Sequence, residues 1–571
     1  MPEKHTYGQI LKSSAIIGGS SVINIGIGMV RTKAMAVILG PTGFGLMGLY
    51  SSILDLTQSI VGMGINSSGV RQIAEAVGTG DTARIAKTAQ VLRRTSIFLG
   101  LLGAVFLFGF SNRLSVLTFN NDQHASGVAL LSLAVFFNIV SAGQGTLIQG
   151  MRRIADLAKM GILGALYGAL ISIPVVYFFH EDGVVLSIIL VSLMTLLTSW
   201  WYRRKIDIPA VAISSAQVGQ EQAELLTLGF AFMSSGLMMT GAAYLIRIFI
   251  VRDIGFEAAG LYQSAWTLGG LYIGLILQAM GADFYPRLTA VVNNNVECNR
   301  IVNEQAHVSL LMAGPGVIAT LTFAPLAIVL FYSSKFEGAI ELLRWLCLGM
   351  TLRVVSWPMG FIIVAKNAQK LFFFSELAWT CVYLGLAWLS VAEFKLNGVG
   401  IAFFGSYIFH VVMIYFIVRR LSFFRWSAAN IETSFFYLSL IAIIFLSFYS
   451  LPFMLAIAVG VLGTVLSLVY SIQVLLDLIS VDRLPSSVLK ILQLFRLTPK
   501  GSFNNNVIEK VDEAAIDFEG KKPWITVKRL LIIFMVITSF SMWTHWYEGL
   551  YDWLEILNYF KFLCNSLLSY L

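Results

Sequence analysis

Four cations stand where a chain seldom places them. Arg31 and Lys33 lie in "GMVRTKAMAVILGP", Arg247 in "AAYLIRIFIV" and Arg353 in "LGMTLRVVSWPMGF", each within an apolar stretch. On insertion scales a cation at the centre of a membrane helix costs about 2.5–3.5 kcal/mol, so such a residue marks a cavity, an ion pair or a pathway. Arginine's planar fork makes paired hydrogen bonds to phosphate. Cations in excess of carboxylates favour an anion, and the pattern fits a site that holds the phosphates of an amphiphile while its apolar tail stays in lipid. Asp55 and Glu376 are candidates for coupling a proton or sodium ion. Asp55, Glu341 and Glu376 are also candidate ion-pair partners within the bundle.

Arg31 precedes Gly40 by nine residues and Arg247 precedes Gly255 by eight, so the two occupy nearly equivalent places. Lys33 is two residues from Arg31, which turns their side chains about 200° apart on one helix. Lys33, Arg247 and Arg344 stand near enough to a helix end to snorkel toward water; Arg353 is too deep. Pro358 follows Arg353 and is expected to kink that helix or free a carbonyl. No enzyme site emerges beside these residues. The histidines are scattered, the four cysteines (Cys298, Cys347, Cys381 and Cys564) form no CxxC pair, and "SAGQGTLIQG" lacks the lysine of a phosphate-binding loop. No cofactor or metal is implied.

The elements that must position these residues are membrane helices. Apolar residues make up 57% of the 571, and charged residues 12%, against about 25% in soluble domains. The mean hydropathy is +0.78. The net charge of +8 sits in short clusters between apolar runs, without an aromatic–basic platform, which argues against nucleic acid. A span needs about 20 apolar residues. Such runs fall near 13–39, 45–69, 95–111, 127–150, 157–179 and 184–202, then near 226–251, 257–281, 306–331, 338–364, 371–392 and 397–418. One set of connections carries Arg71, Arg84, Lys87, Arg93, Arg94, Arg152, Arg153, Lys159, Arg203, Arg204 and Lys205, and continues in the second half with Arg287, Arg300, Lys366, Lys370, Arg419, Arg420 and Arg425. The opposite set carries only Arg113, Arg252, Lys335 and Lys395. The positive-inside rule then puts the N-terminus in the cytoplasm.

The chain repeats itself. "GLYSSILDLTQSIVGMG" from Gly48 resembles "GLYQSAWTLGGLYIGLI" from Gly260, and Asp182-Gly183-Val184 matches Asn397-Gly398-Val399, at offsets of 212–216 residues. The expectation is an all-α polytopic membrane protein of two six-helix lobes, residues 1–210 and 220–425, forming a parallel repeat around a central cavity. Beyond them a further helix pair is expected over 430–480, a cytoplasmic linker over 481–525 and a transmembrane or interfacial segment over 526–571.

"VILGPTGFGLMGLY" followed by "GMGINSSGVRQIAE" resembles the first helix pair of bacterial polysaccharide flippases, of the lipid III and O-antigen translocase type. "ADFYPRLTAV", "YSSKFEGAIELLRWLCLG" and "GFIIVAKNAQKLFFFSELAW" continue the likeness in order. It covers about residues 8–420. These proteins belong to the multidrug/oligosaccharidyl-lipid/polysaccharide exporter superfamily. The resemblance implies alternating access, which moves an undecaprenyl-diphosphate-linked oligosaccharide from the cytoplasmic to the periplasmic leaflet of the bacterial inner membrane. It implies roles for Lys33 and Arg353, whose positions match basic residues of the pattern, and a complex with glycan polymerase and chain-length machinery. Arg31 is this chain's addition. Past residue 430 the chain departs from that type, and the extra pair resembles the peptidoglycan lipid II flippases.

Other classes remain beside this expectation. A multidrug efflux antiporter of the same superfamily would want carboxylates where this chain has cations. A membrane glycan polymerase or ligase would want a catalytic outer loop, and the outer connections are short. A structural partner that binds lipid-linked glycan without moving it is a third class.

Overall fold

The structure, a computed structural model, describes residues 2–208 and 215–478. The linker expected over 481–525 and the segment over 526–571 lie outside the described residues. Within them the fold is all-α. Helix α1 spans Pro2–Val61, α2 Ile65–Thr79, α3 Thr82–Gly109, α4 Ser111–Phe119 and α5 Ala125–Gly150. There follow α6 (Ile154–Phe179), α7 (Gly183–Arg204), α8 (Ser215–Asp253), α9 (Phe256–Ala290) and α10 (Asn295–Thr322). The last five are α11 (Ala324–Phe331), α12 (Ile340–Ala365), α13 (Gln369–Ser422), α14 (Ala428–Ser450) and α15 (Phe453–Leu478). Among the described residues eight segments are long and apolar enough to span a membrane, or nine with α10 and α11, which meet at 80°.

Those segments include merged pairs. Helix α1 breaks at Gly40 (φ 63°, ψ −175°), ahead of Pro41, so the spans expected on either side are two helical segments that meet at this residue. Helix α13 breaks at Lys395 (φ 51°, ψ −130°). The second expected span ends earlier than 69. Its helix stops at Val61, and Met63 and Gly64 both take positive φ before α2 begins. Helix α3 begins before its apolar run, at the Asp81 cap, whose carboxylate accepts from the Arg84 amide at 2.9 Å. Its first turns therefore carry Arg84, Lys87, Arg93 and Arg94.

The backbone itself repeats. His180 (φ 49°, ψ −126°) and Lys395 share one unusual conformation, and they stand 215 residues apart. So do Gly40 and Gly255, both at positive φ. After each non-glycine break a glycine closes the hairpin. A methyl group on Gly183 would press on the Val175 carbonyl, and one on Gly398 would overlap that of Ser390, again 215 residues on. The structure therefore sets the offset at 215 and pairs Gly45-Leu46 with Gly260-Leu261. The offset of 212 suggested by the "GLY" identities slips by three residues, nearly one helical turn, which returns similar side chains to the same face.

The described residues form two compact units. One is drawn from residues 2–208 and 215–271, Pro325–Leu352 and Ile363–Val418; the other from Tyr272–Ala324, Arg353–Ile362 and residues 419–478. The second unit docks α14 and α15 onto α10. Asn303 on α10 accepts from the Ser427 amide at 2.8 Å and donates to the Arg425 carbonyl at 3.0 Å, pinning the start of α14. His307 bonds Thr433 at 3.0 Å, Thr433 bonds Tyr470 at 3.1 Å, and Ser471 donates to the Leu311 carbonyl at 2.7 Å. Measured polar pairs between membrane helices average about 0.6 kcal/mol, so several in register matter more than any one. The close approach is set by Gly314, whose missing side chain admits the Tyr437 ring. Gly314→Ala is expected to overpack this contact by about 1–3 kcal/mol and lower the melting temperature in detergent. Tyr437→Leu in the same chain should recover part of the loss. An unchanged melting temperature in Gly314→Ala contradicts this packing.

Candidate functional site

The first unit contains parts of both repeat halves, and its geometry is organised by a pseudo-twofold seam. A methyl group on Gly45 of α1 would overlap the Phe256 carbonyl, and one on Gly260 of α9 would overlap the Pro41 carbonyl. Each contact maps onto the other by the same 215-residue shift. A methyl group on Gly48 would make ordinary contact with the side chain of Gln263, its own repeat counterpart, which places that pair on the pseudo-axis. Small residues let membrane helices approach this closely.

Toward the end with few cations, here the outer end, the seam is closed by aromatic rings. Phe44 packs edge-on against Tyr332 and Phe336, with centroids 5.6 and 5.7 Å away. On the other side of the axis Phe256 packs on Phe119 (6.2 Å) and His124 (6.0 Å). Aromatic pairs contribute about 0.5–1.5 kcal/mol beyond their buried area. Two cations flank this seal. Lys33 Nζ donates to the Val329 carbonyl at 2.8 Å, and Arg252 Nη2 to the Leu117 carbonyl at 2.6 Å. Both acceptors lie in the last turn of a short helix, α11 or α4, where a cation gains about 0.3–1 kcal/mol from the helix dipole. Each cation comes from the first helix of one half and its acceptor from the other.

The four cations of the sequence thus take separate positions. Lys33 is engaged at the seal. Arg31 faces α6, where its Nε donates to Ser172 Oγ at 3.0 Å and its two Nη atoms meet no described residue. Arg247 stands beside the pseudo-axis. Its Nε and Nη2 both donate to Gln263 Oε1 (3.2 and 2.6 Å), its Nη1 donates to the Ala243 carbonyl (3.0 Å), and its guanidinium lies 5.6 Å from the Tyr262 ring centroid. Asp55 is exposed and within the electrostatic reach of Arg247. Arg353 belongs to the second unit; it is half-buried, and its guanidinium has no hydrogen bond or ion pair to a described residue. Glu376 is half-buried and already partnered. No group of three metal-ligating side chains occurs among the described residues.

Sequence reasoning missed Ser172, Gln263, Arg252 and the aromatic seal. Gln263 was in view inside the repeated "GLYQSAW", but a neutral side chain carries no signal of its own. The two rows of rings come from distant segments that only the repeat symmetry brings together.

Residues 34–341 match the family described as "Polysaccharide biosynthesis protein". The chain is 21% identical over 416 residues to the lipid III flippase of Escherichia coli (strain K12), covering 70% of this chain and 95% of that protein. It superposes on an inward-facing multidrug resistance MATE family transporter with a TM-score of 0.60 at 17% identity, covering 70% of this chain and 98% of the other. With the lipid II flippase MurJ, in an inward closed conformation, the TM-score is 0.59 at 14% identity, and the match covers 80% of this chain and 98% of the other.

The seal carries one imidazole, His124. Burial, the larger cause, lowers His124 below its ordinary value near 6.5, while the charge of Glu181 pulls the other way. Tyr50, Phe119 and Phe256 complete its surroundings, with the Tyr50 hydroxyl 3.1 Å from Nδ1. The closed seal therefore favours neutral His124. Its contribution is fully present above about pH 6.5 and is lost as pH falls through the lowered value. Acidifying the outer side from about pH 7.5 to about pH 5.5 should loosen the seal, read as faster labelling of a cysteine placed at Phe44. His124→Phe, which copies Phe336 on the other side of the axis, should label at one rate at both pH values. A persistent pH effect in that variant removes His124 as its source.

Proposed function

Since the chain belongs to the polysaccharide biosynthesis protein family, we propose that it is a flippase that carries a lipid-linked oligosaccharide across a bacterial inner membrane by alternating access. The cargo is an undecaprenyl-diphosphate glycan moving from the cytoplasmic to the periplasmic leaflet, and the N-terminus lies in the cytoplasm as the charge bias of the connections requires. No covalent chemistry is needed; the protein moves an intact molecule. Polymerase and chain-length proteins are its expected partners.

One observation carries this reading: a pseudo-twofold seam, sealed at its outer end, with an arginine held at the axis just inward of the seal. A seam of two similar halves can part at one end and close at the other. A cation at the axis gives a diphosphate a place to sit while its prenyl tail stays in lipid. Arg31, anchored through Nε with neither Nη atom hydrogen-bonded to a described residue, presents the edge that binds phosphate in paired fashion. Arg353 is a further phosphate contact in this proposal, and Lys33 acts by releasing and remaking its bond across the seal.

The membrane potential helps such a cargo. About two negative charges leaving a negative interior gain up to roughly 4–5 kcal/mol per 100 mV. Asp55 stands beside Arg247 and gives a second handle, a proton or sodium ion that neutralises it as the phosphate approaches. The lipid II type of flippase is the second reading, and it is favoured by the further helix pair, α14 and α15, that follows the two lobes. A multidrug antiporter fits less well, because the buried charges have the wrong sign for cationic drugs.

Leaflet exchange of a fluorescent polyprenyl-diphosphate oligosaccharide in reconstituted vesicles tests the proposal. Wild type should move the lipid, and Arg247→Ala, Arg31→Ala and Arg353→Ala should each slow it by about tenfold or more, the loss of one charge-assisted pair. Wild-type vesicles that leave both this glycolipid and a lipid II analogue in place contradict it. Asp55→Asn should remove any dependence on an imposed pH gradient while exchange driven by the potential persists. Undiminished gradient dependence excludes Asp55 from coupling.

A further inference from the structure

Arg247 is already occupied, and what occupies it is unusual. The Oε1 of Gln263 accepts from both Nε and Nη2, the edge of the guanidinium that pairs with two oxygens of a phosphate. The orientation of the amide is forced, because arginine only donates and the oxygen must face it. We propose that Gln263 is a resident substitute for the substrate's phosphate at Arg247, and that its displacement couples substrate binding to the outer seal. The inference rests on the reading of Arg247 as a diphosphate contact and goes beyond it by assigning a coupling residue.

The chemistry favours exchange. A neutral amide oxygen makes ordinary hydrogen bonds, while a phosphate oxygen makes charge-assisted bonds of about twice the strength. Arg247 need not move to make the exchange, because Nη1 stays on the Ala243 carbonyl one turn back along α8. Gln263 is the mobile partner. Its other end is tied to the next turn of α9: Nε2 donates to Thr267 Oγ1 at 3.3 Å, Thr267 donates to the Gln263 carbonyl at 2.8 Å, and Thr267 neighbours Tyr332 closely enough to act on its hydroxyl. The Tyr332 ring is part of the seal, edge-on to Phe44 and tilted against Phe336. A single line of side chains thus runs from the axial arginine to the aromatic seal.

The same glutamine also packs beside the crossing of the halves. Its side chain lies against Gly48 on the pseudo-axis, one turn inward of the Gly45–Gly260 crossing. When phosphate takes the arginine, Gln263 loses two of its hydrogen bonds and must repack against Gly48 of the other half. Both consequences, the loosened Thr267–Tyr332 link and the disturbed packing at Gly48, act on the closed outer end. An empty transporter keeps its seal because Gln263 is satisfied; a loaded one releases it. Gln263 is a positioning residue in this scheme and not a phosphate ligand.

The test uses the full chain in nanodiscs, with farnesyl diphosphate as the probe and spin labels on Asn120→Cys and Glu337→Cys, two exposed positions on opposite halves of the outer rim. Affinity and inter-label distance are read separately. Wild type should bind and lengthen the distance. Gln263→Leu removes the competitor, so it should bind about fivefold or more tighter yet show no ligand-dependent lengthening. Gln263→Glu gives Arg247 a permanent ionic partner and should bind about tenfold or more weaker, with the rim closed. Thr267→Val should bind as wild type and lose the lengthening, which decides the matter if Gln263→Leu does not fold. Weaker or unchanged binding in Gln263→Leu, or lengthening equal to wild type in Gln263→Leu or Thr267→Val, overturns the coupling role. A different failure is separately visible: if Arg247→Ala binds the probe as well as wild type, Arg247 is not the phosphate contact, and the role of Gln263 falls with it.

Discussion

Two backbones cross at Gly45 and Gly260 with no room between them for a methyl group. Much of the first unit is arranged around that contact. Because the two residues are counterparts under the same 215-residue shift, the crossing lies on the pseudo-axis, and features beside it come in pairs. Phe44 meets one set of rings and Phe256 another. Lys33 reaches one helix terminus and Arg252 reaches the other. A seam made of glycine contacts, ring edges and two cation–carbonyl bonds is closed by many small terms. None is large enough to make parting costly by itself, which suits an interface that opens once per cycle.

The cations on these apolar helices find different solutions to one cost. A charge in an apolar bundle must be hydrated, paired or bonded. Lys33 and Arg252 take helix-terminal carbonyls, Arg247 takes a glutamine and a carbonyl, and Arg31 takes a serine through one nitrogen. These partners are neutral. A neutral partner satisfies hydrogen bonds without cancelling charge, so the positive potential remains for an anion to use. Had the partners been carboxylates, the same arginines would be structural ion pairs with little left for a ligand.

Much of the architecture was legible in the sequence, for definable reasons. Apolar runs of span length appear as helices, and "EDGVV" and "LNGVG" mark hairpins that share a backbone conformation at His180 and Lys395. The register of the repeat was less legible, because a slip of three residues keeps glycine and aromatic residues on the same helix face. The directions of the cations were only half legible. Helical geometry separated Arg31 from Lys33, but which of them turned toward α6 and which toward α11 depends on the rotation of α1 ahead of its break at Gly40. Gln263 had no sequence signal, since its importance comes from what it touches. The dependence on carbonyls was also hidden, because a backbone acceptor has no residue type to read.

The most direct test of the central claim is to hold the seam shut and ask whether transport stops. Cysteines replacing Phe44 and Phe336, which face each other across the seal at 5.7 Å between ring centroids, can be joined in a chain without its native cysteines by a short bis-methanethiosulfonate reagent, which forms a disulfide with each thiol as methanesulfinate leaves and is cleaved by a thiol reductant. If the outer ends must part, joined protein in vesicles should move no lipid-linked oligosaccharide, and cleaving the reagent should restore exchange to the rate of the unjoined chain. Exchange that continues at that rate while the two positions stay joined would contradict the claim that the lipid passes by opening this seam.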